Sequence, residues 1–241
     1  MKKNNKTIEE YFADAVMGRP YGFYVENRHF FLYPVTLGKM YLLQRHIERM
    51  EINEQHLSDN LSLEAIRLAK TKREECISLL TYHTCKTKEE VFDTTSNEEK
   101  KNFFEKELSE DELATLLILI LSTDKTETFT KHFGIDKESD RRNAVIRTKA
   151  TKDKNNMSFG GKTVYGALID AACERYGWTK DYVVWGIDYT SLRLMLADKV
   201  SSIFCSEEDL KVIPSWAKNG DEEIIRPTKE NMDKILNMDW R

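Results

Sequence analysis

Residues 109–121, Ser-Glu-Asp-Glu-Leu-Ala-Thr-Leu-Leu-Ile-Leu-Ile-Leu, restrict the folds open to this chain more than any other stretch. Ser109 and Glu112 form a capping-box pattern, in which the hydroxyl accepts from a free helix N–H and the glutamate reaches back to the cap. The cap and the leucine content read as a helix rather than a strand. From Leu113 onward every residue except Thr115 is apolar, so this helix has no polar face for water. A helix that is apolar all round is buried on most sides or faces a partner. Its unbroken apolar run, Leu116 to Leu121, is six residues long. A bilayer crossing needs about 20, so a protein interior is expected around it, with no membrane partner.

The rest of the chain supplies elements to surround it. Of 241 residues, 40% are hydrophobic and 32% charged, with only 10 glycines and 4 prolines. That balance suits one large or two small mainly α-helical domains with a heavily charged surface. Thr7 and Glu10 form another capping box, opening a helix that Gly18 and Pro20 end. Tyr21 to Pro34, YGFYVENRHFFLYP, is aromatic on both sides of a polar centre at Glu26-Asn27-Arg28 and reads as a small N-terminal β-hairpin. Thr36 then caps a helix with Leu37, Met40, Leu43 and Ile47 on one face. One long amphipathic helix is expected from Leu61 to Tyr82, anchored by Leu63, Ile66, Ala69, Ile77 and Leu80. Residues 86–112 are acidic, with five lysines against ten carboxylates. A short helix from Asp124 to Phe133 ends at Gly134.

Between Arg141 and Lys162 the composition turns basic, loses its apolar periodicity and ends in Gly160-Gly161, so 141–162 reads as an exposed basic linker or loop. It divides a hairpin-plus-helical region, 1–140, from a C-terminal helical region with a polar tail, 163–241. In the latter, Thr163 caps a helix to Tyr176 with Val164, Leu168, Ala171 and Ala172 inward, stopped by Gly177. Asp188 caps a second, Tyr189 to Phe204, with Leu192, Met195, Leu196, Val200 and Ile203 inward. Thr179 caps a short turn between them, and another short helix is expected after Pro227.

Several chemistries find weak support. Gly161-Lys162-Thr163 imitates the end of a phosphate-binding loop, but the first glycine of G-x-x-x-x-G-K-[ST] would fall on Asn156, and no buried strand precedes it. Cys76, His83 and Cys85 are spaced unlike a closed zinc pattern, and no fourth ligand is evident. The five histidines, His29, His46, His56, His83 and His132, are scattered, and no G-x-S-x-G occurs. Neither catalysis nor a metal, nucleotide or other cofactor is therefore expected. The four cysteines form no framework and suit a reducing cytoplasm. Net charge is −4, so nucleic acid has no global field to follow. A nucleic-acid-binding regulator using 141–162 remains an alternative, although only Phe159 interleaves its bases.

Two stretches, Tyr21 to Glu48 and Gly166 to Asp198, carry a resemblance. Phe31-Leu32-Tyr33-Pro34-Val35-Thr36-Leu37-Gly38 follows an "F-x-L-x-P-x-T-L-G" pattern, and Tyr176-Gly177-Trp178-Thr179-Lys180-Asp181-Tyr182-Val183-Val184 a "Y-G-W-s-x-d-x-[IV]-l" pattern. Together they resemble tail assembly chaperones and related small tail proteins of long-tailed bacteriophages or prophages. The resemblance implies a cytoplasmic protein of the bacterial host that binds the tape measure or tail tube protein during tail morphogenesis. A structural virion component of the tail or head–tail connector is the alternative within the family, and a homo-oligomer is compatible with both. Trp178, Tyr182, Trp185 and Tyr189, clustered in one connection, are the expected partner-binding residues, because large aromatic side chains anchor interfaces. The competing reading is that these rings plug the corner between two helices.

Overall fold

The computed structural model describes residues 7–122, 124–152 and 161–218. It is mainly α-helical with one two-stranded antiparallel sheet near the N-terminus. The chain separates into two compact units, each assembled from two stretches: residues 1–133 with 159–199, and residues 134–158 with 200–241. This partition interleaves the chain instead of cutting it at 141–162.

In the first unit, α1 (Ile8–Val16) opens with the Thr7–Glu10 capping box. Strands β1 (Tyr21–Val25) and β2 (Arg28–Leu32) follow, paired Tyr21↔Leu32, Phe23↔Phe30 and Val25↔Arg28. The alternation of side chains along a strand puts Phe23, Val25, Phe30 and Leu32 on the inner face. Phe23 and Phe30 are stacked, and both meet Phe104. Helix α2 (Leu37–Met50) has Thr36 as its N-cap, and a short α3 (Glu54–Asp59) follows.

Instead of one helix from Leu61 to Tyr82 there are two, α4 (Leu61–Thr71) and α5 (Arg73–His83), broken at Lys72 with φ −131° and ψ 36°. The expected anchors Leu63 and Ile66 are exposed, while Ala65, Leu68 and Ala69 are fully buried. The reason is close packing. Helix α4 lies chiefly on α8 (Glu110–Leu121), and alanines let the two backbones approach. Helix α8 is the apolar helix of residues 109–121. Its Leu113, Ala114, Leu116, Leu117 and Ile120 are buried in a core shared with the hairpin, α2, α4, α5 and α7 (Thr94–Glu107). Between α5 and α7 runs α6 (Lys88–Phe92). Helix α9 (Thr126–His132) packs Phe129 edge-on against Phe12 of α1.

The second unit corrects the loop expected over 141–162. Helix α10 spans Ile135–Lys152, so residues 141–152 are helical; residues 153–160 lie outside the described ones. Few apolar residues mark a face, and the helix is supported instead by polar contacts. Arg141 pairs with Glu138 at 2.8 Å. Their separation of three residues is one that helps exposed helices. Arg141 Nε also donates to the Ala217 carbonyl and Lys149 Nζ to that of Phe204. Ile213 and Ala217 are buried in this unit. The helix expected after Pro227 lies outside the described residues.

Near the end of the first unit, α11 (Val164–Tyr176) and α12 (Tyr189–Ala197) flank a π-helical turn, Tyr182–Gly186. Helix α12 stops at Ala197, well short of Phe204. Val200 and Val164, expected inward, are 85% and 69% exposed. Leu37, Ala172, Val183, Ile187 and Leu192 form a second core here, distinct from the one around α8. Among the described residues no helix is long and apolar enough to cross a membrane.

Candidate functional site at the Trp178–Tyr189 corner

The corner begins where α11 ends. Gly177 takes φ 64°. This left-handed conformation terminates a helix with little strain when no Cβ is present. The Thr179 hydroxyl accepts from the Tyr182 N–H at 3.2 Å and starts the next turn. That turn closes as a π-helix, a form common where a segment is shaped for a particular contact. Gly186 is required within it: a Cβ there would lie 2.4 Å from the Tyr182 ring.

The four expected residues are close in sequence but do not line a single groove. Trp178 is sandwiched, stacked on Tyr176 at 4.6 Å between centroids and edge-on to Tyr182 at 5.1 Å. The Tyr176 hydroxyl donates to the Met195 carbonyl, tying this ladder to α12. Trp178 and Tyr189 pack, half-buried, on the second core. Trp185 turns the other way, lying edge-on to Phe92 at 5.5 Å and so close to Gly38 that a Cβ there would meet its ring at 2.8 Å. Only Tyr182, 45% exposed, presents much of its ring to solvent.

What the corner does structurally is grip the start of α2. The Tyr189 N–H donates to the Val35 carbonyl at 2.7 Å, and Thr36 and Asp188 form an isolated antiparallel bridge. These are the N-cap residues of α2 and α12, whose side chains accept from Lys39 N–H and Ser191 N–H respectively. Leu37 joins Val183 and Ile187 in the second core. Lys88 Nζ and Asp181 pair at 2.6 Å across the same region. The stretches Tyr21–Glu48 and Gly166–Asp198 are therefore one clasp, joined by a backbone hydrogen bond and a glycine–tryptophan contact.

Sequence reasoning missed Phe92 and the Tyr41–Tyr165 pair, whose centroids lie 3.8 Å apart between α2 and α11. The available signal was Gly38. Glycine in the first turn of a capped helix sacrifices stability relative to alanine unless something approaches closely.

Cys76 is fully buried, and burial pushes its thiol up to about 12. His83 is buried, and burial together with the charge of Lys39 pushes its imidazole down to about 3. Burial also raises the Cys85 thiol, which donates to Asn97 Oδ1. Among the described residues no three His, Cys, Asp or Glu side chains are grouped to hold a metal ion. Thr163 caps α11 by accepting from the Gly166 N–H at 3.1 Å, and Gly161 has φ 66°. Asn156 lies outside the described residues.

No protein-family model, curated protein or solved structure matches this chain.

Proposed function

We propose that this chain is a tail assembly chaperone of a long-tailed bacteriophage or prophage. It holds the tape measure protein or a tail tube protein in the host cytoplasm before assembly. The observation carrying the reading is the clasp. The two stretches that resemble this family are remote in the chain, yet they meet through Val35–Tyr189, Thr36–Asp188 and Gly38–Trp185. Their joint occurrence thus has a structural reason.

Physics supports the same role. A long helical client exposes apolar stripes that aggregate before the tail tube forms. A suitable holder combines a charged exterior with a few exposed aromatic anchors. Tyr182 belongs to the clasp itself, and Tyr41 and Phe92, both more than half exposed, contact its partners Tyr165 and Trp185. Of the four expected anchors, Tyr182 is the one whose ring a client meets directly; Trp178 lies edge-on against it, while Trp185 and Tyr189 fasten the corner to the start of α2.

Co-expression with a tape measure fragment tests the proposal. The expected result is a soluble fragment that co-purifies with the chain, and a weaker yield with Tyr182→Ala. A fragment that stays insoluble and unbound overturns it. Mass spectrometry of purified virions then separates chaperone from structural component, since a chaperone is absent from the particle.

A further inference from the structure

The hairpin has one open edge. Only Glu26 and Asn27 separate the strands, so the closing pair Val25↔Arg28 must exchange hydrogen bonds directly. Alternation then makes Phe23↔Phe30 and Tyr21↔Leu32 the other bonded pairs. The N–H and C=O groups of Gly22 and Tyr24 consequently point away from β2. Among the described residues neither one hydrogen-bonds to anything outside the hairpin, and no third strand joins the sheet. The opposite edge is treated differently: just past β2, the Tyr33 N–H donates to the His83 carbonyl at the end of α5.

The solvent face beside the open edge is aromatic. Tyr24 stacks on His29 at 4.4 Å, His29 meets Phe31 at 4.4 Å, and Phe31 meets Tyr33 at 6.1 Å. Tyr24 is 72% exposed. Natural sheets usually blunt an edge with charge, proline or a bulge. Here the edge strand Tyr21–Val25 contains none of these.

We propose that this edge pairs with the same edge of a second copy, giving a two-fold dimer with a four-stranded sheet ordered β2-β1-β1-β2. The argument is self-complementarity. Set antiparallel to itself about Phe23, β1 places Gly22 of each copy opposite Tyr24 of the other. Both are bonded pairs, so all four outward groups of each copy find partners. Side-chain alternation keeps Phe23, Val25 and their equivalents on the core side. It keeps Gly22 and Tyr24 on the solvent side, where Phe31, Gly22, Tyr24 of the second copy and its His29 fall in one row. The missing side chain at Gly22 lets the chain's own His29 ring lean over the strand, its Nε2 2.8 Å from where a Cβ would sit, the close approach that a strand glycine permits, and the second copy's Tyr24 falls beside that ring. The same register sets Glu26 of one copy beside the Arg19-Pro20 segment of the other, where the Arg19 guanidinium, paired with its own Asp14 at 3.0 Å, has further N–H donors to offer. The pairing does not depend on the chaperone reading.

Two measurements on the full-length chain test it. Sedimentation is expected to give a concentration-dependent monomer–dimer equilibrium. Amide exchange is expected to slow at Gly22 and Tyr24 by at least tenfold as the dimer fills. Tyr24→Pro removes an outward N–H without touching a β1–β2 bond, so it is expected to leave a folded monomer. A monomer at every concentration overturns the proposal, and so does a dimer in which those two amides exchange freely. Protection that appears on a monomer only after a tail-protein fragment is added assigns the edge to a client strand and also overturns it. Should Tyr24→Pro fail to fold, the exchange measurement on the unaltered chain still decides.

Discussion

Two charged side chains in the first unit are as buried as its leucines, and the fold accommodates them in opposite ways. Glu64, at the start of α4, is 0% exposed. Its carboxylate accepts from Arg67 Nε and Nη2 at 2.9 and 2.6 Å and from the Asn53 N–H at 2.9 Å. The Arg67 hydrogen bonds, against the opposing effect of burial, hold its carboxyl down to about 2. Lys39, in the first turn of α2, is 2% exposed, yet among the described residues no carboxylate lies within ion-pair distance of it. Its Nζ donates to the Cys85 carbonyl and lies 5.9 Å from the Tyr33 ring centroid. Burial pushes its ammonium down to about 8. The charge on Glu64 is fully partnered and contributes stability. The charge on Lys39 is carried at a cost, and what the residue contributes is volume and one hydrogen bond to the end of α5.

The largest expected effect breaks the well-partnered site. Arg67→Ala leaves a buried carboxylate short of its main donor and should destabilise the chain by about 3–5 kcal/mol. Denaturant unfolding would measure this, and a loss under about 1 kcal/mol, the scale of a surface ion pair, would equate the two sites. At the other site side-chain volume matters more than charge. Lys39→Ala should cost about 3 kcal/mol through the cavity it leaves. Lys39→Met, which keeps the volume, should change stability by no more than about 1 kcal/mol near neutral pH. Equal losses from Ala and Met would show that the charge itself is stabilising.

The pH responses should also oppose one another. For Glu64, the unfolded chain binds a proton below its ordinary 4.5 while the folded state resists until about 2. Stability is therefore lost as pH falls through that window. For Lys39, the folded state releases its proton near 8 while the unfolded chain keeps it until about 10.5. Stability therefore rises with pH across that interval. The full gain is about 3 kcal/mol. Unfolding curves of the natural chain and Lys39→Met at several pH values isolate it. The difference between them should shift toward the natural chain as pH rises from 8, and a constant difference would contradict the burial cost. A smaller loss than that of Lys39→Ala concerns the residue before Lys39. Gly38→Ala drives a Cβ to 2.8 Å from the Trp185 ring. Such overpacking should cost about 1–2 kcal/mol. An unchanged unfolding midpoint would mean that the tryptophan gives way without strain.

Much of this fold is legible in the sequence where local chemistry decides. The caps at Thr7, Thr36, Ser109, Thr163 and Asp188 all form. Capping needs only a side chain and a backbone N–H within a few residues of each other. The hairpin follows from two aromatic runs around a polar turn. Long-range packing overrode the rest. Leu63 and Ile66 are the larger side chains of α4, but α8 approaches closely enough to select Ala65 and Ala69 instead. Helix α10 was masked by its own composition: its contacts are charged and its apolar period is weak. Nothing in the sequence distinguishes Lys39 from the surface lysines, since its burial depends on where α5 ends. At the corner, the aromatic cluster was legible, but its internal division was not. Trp185 faces Gly38 and Phe92 because the π-helical turn rotates it away from Trp178 and Tyr182.

The clasp also sets a timetable. More than half of the chain lies between Val35 and Tyr189. At ordinary translation speeds Tyr189 emerges from the ribosome roughly ten to thirty seconds after Val35. Throughout that interval Leu37 has no Val183 or Ile187 to cover it and Gly38 no tryptophan. The hairpin and the core around α8 are made of earlier residues and can consolidate first. The second core can only be an act of closure, completed near the end of synthesis, and chains truncated before Tyr189 should expose the start of α2 to proteases that leave the finished protein intact.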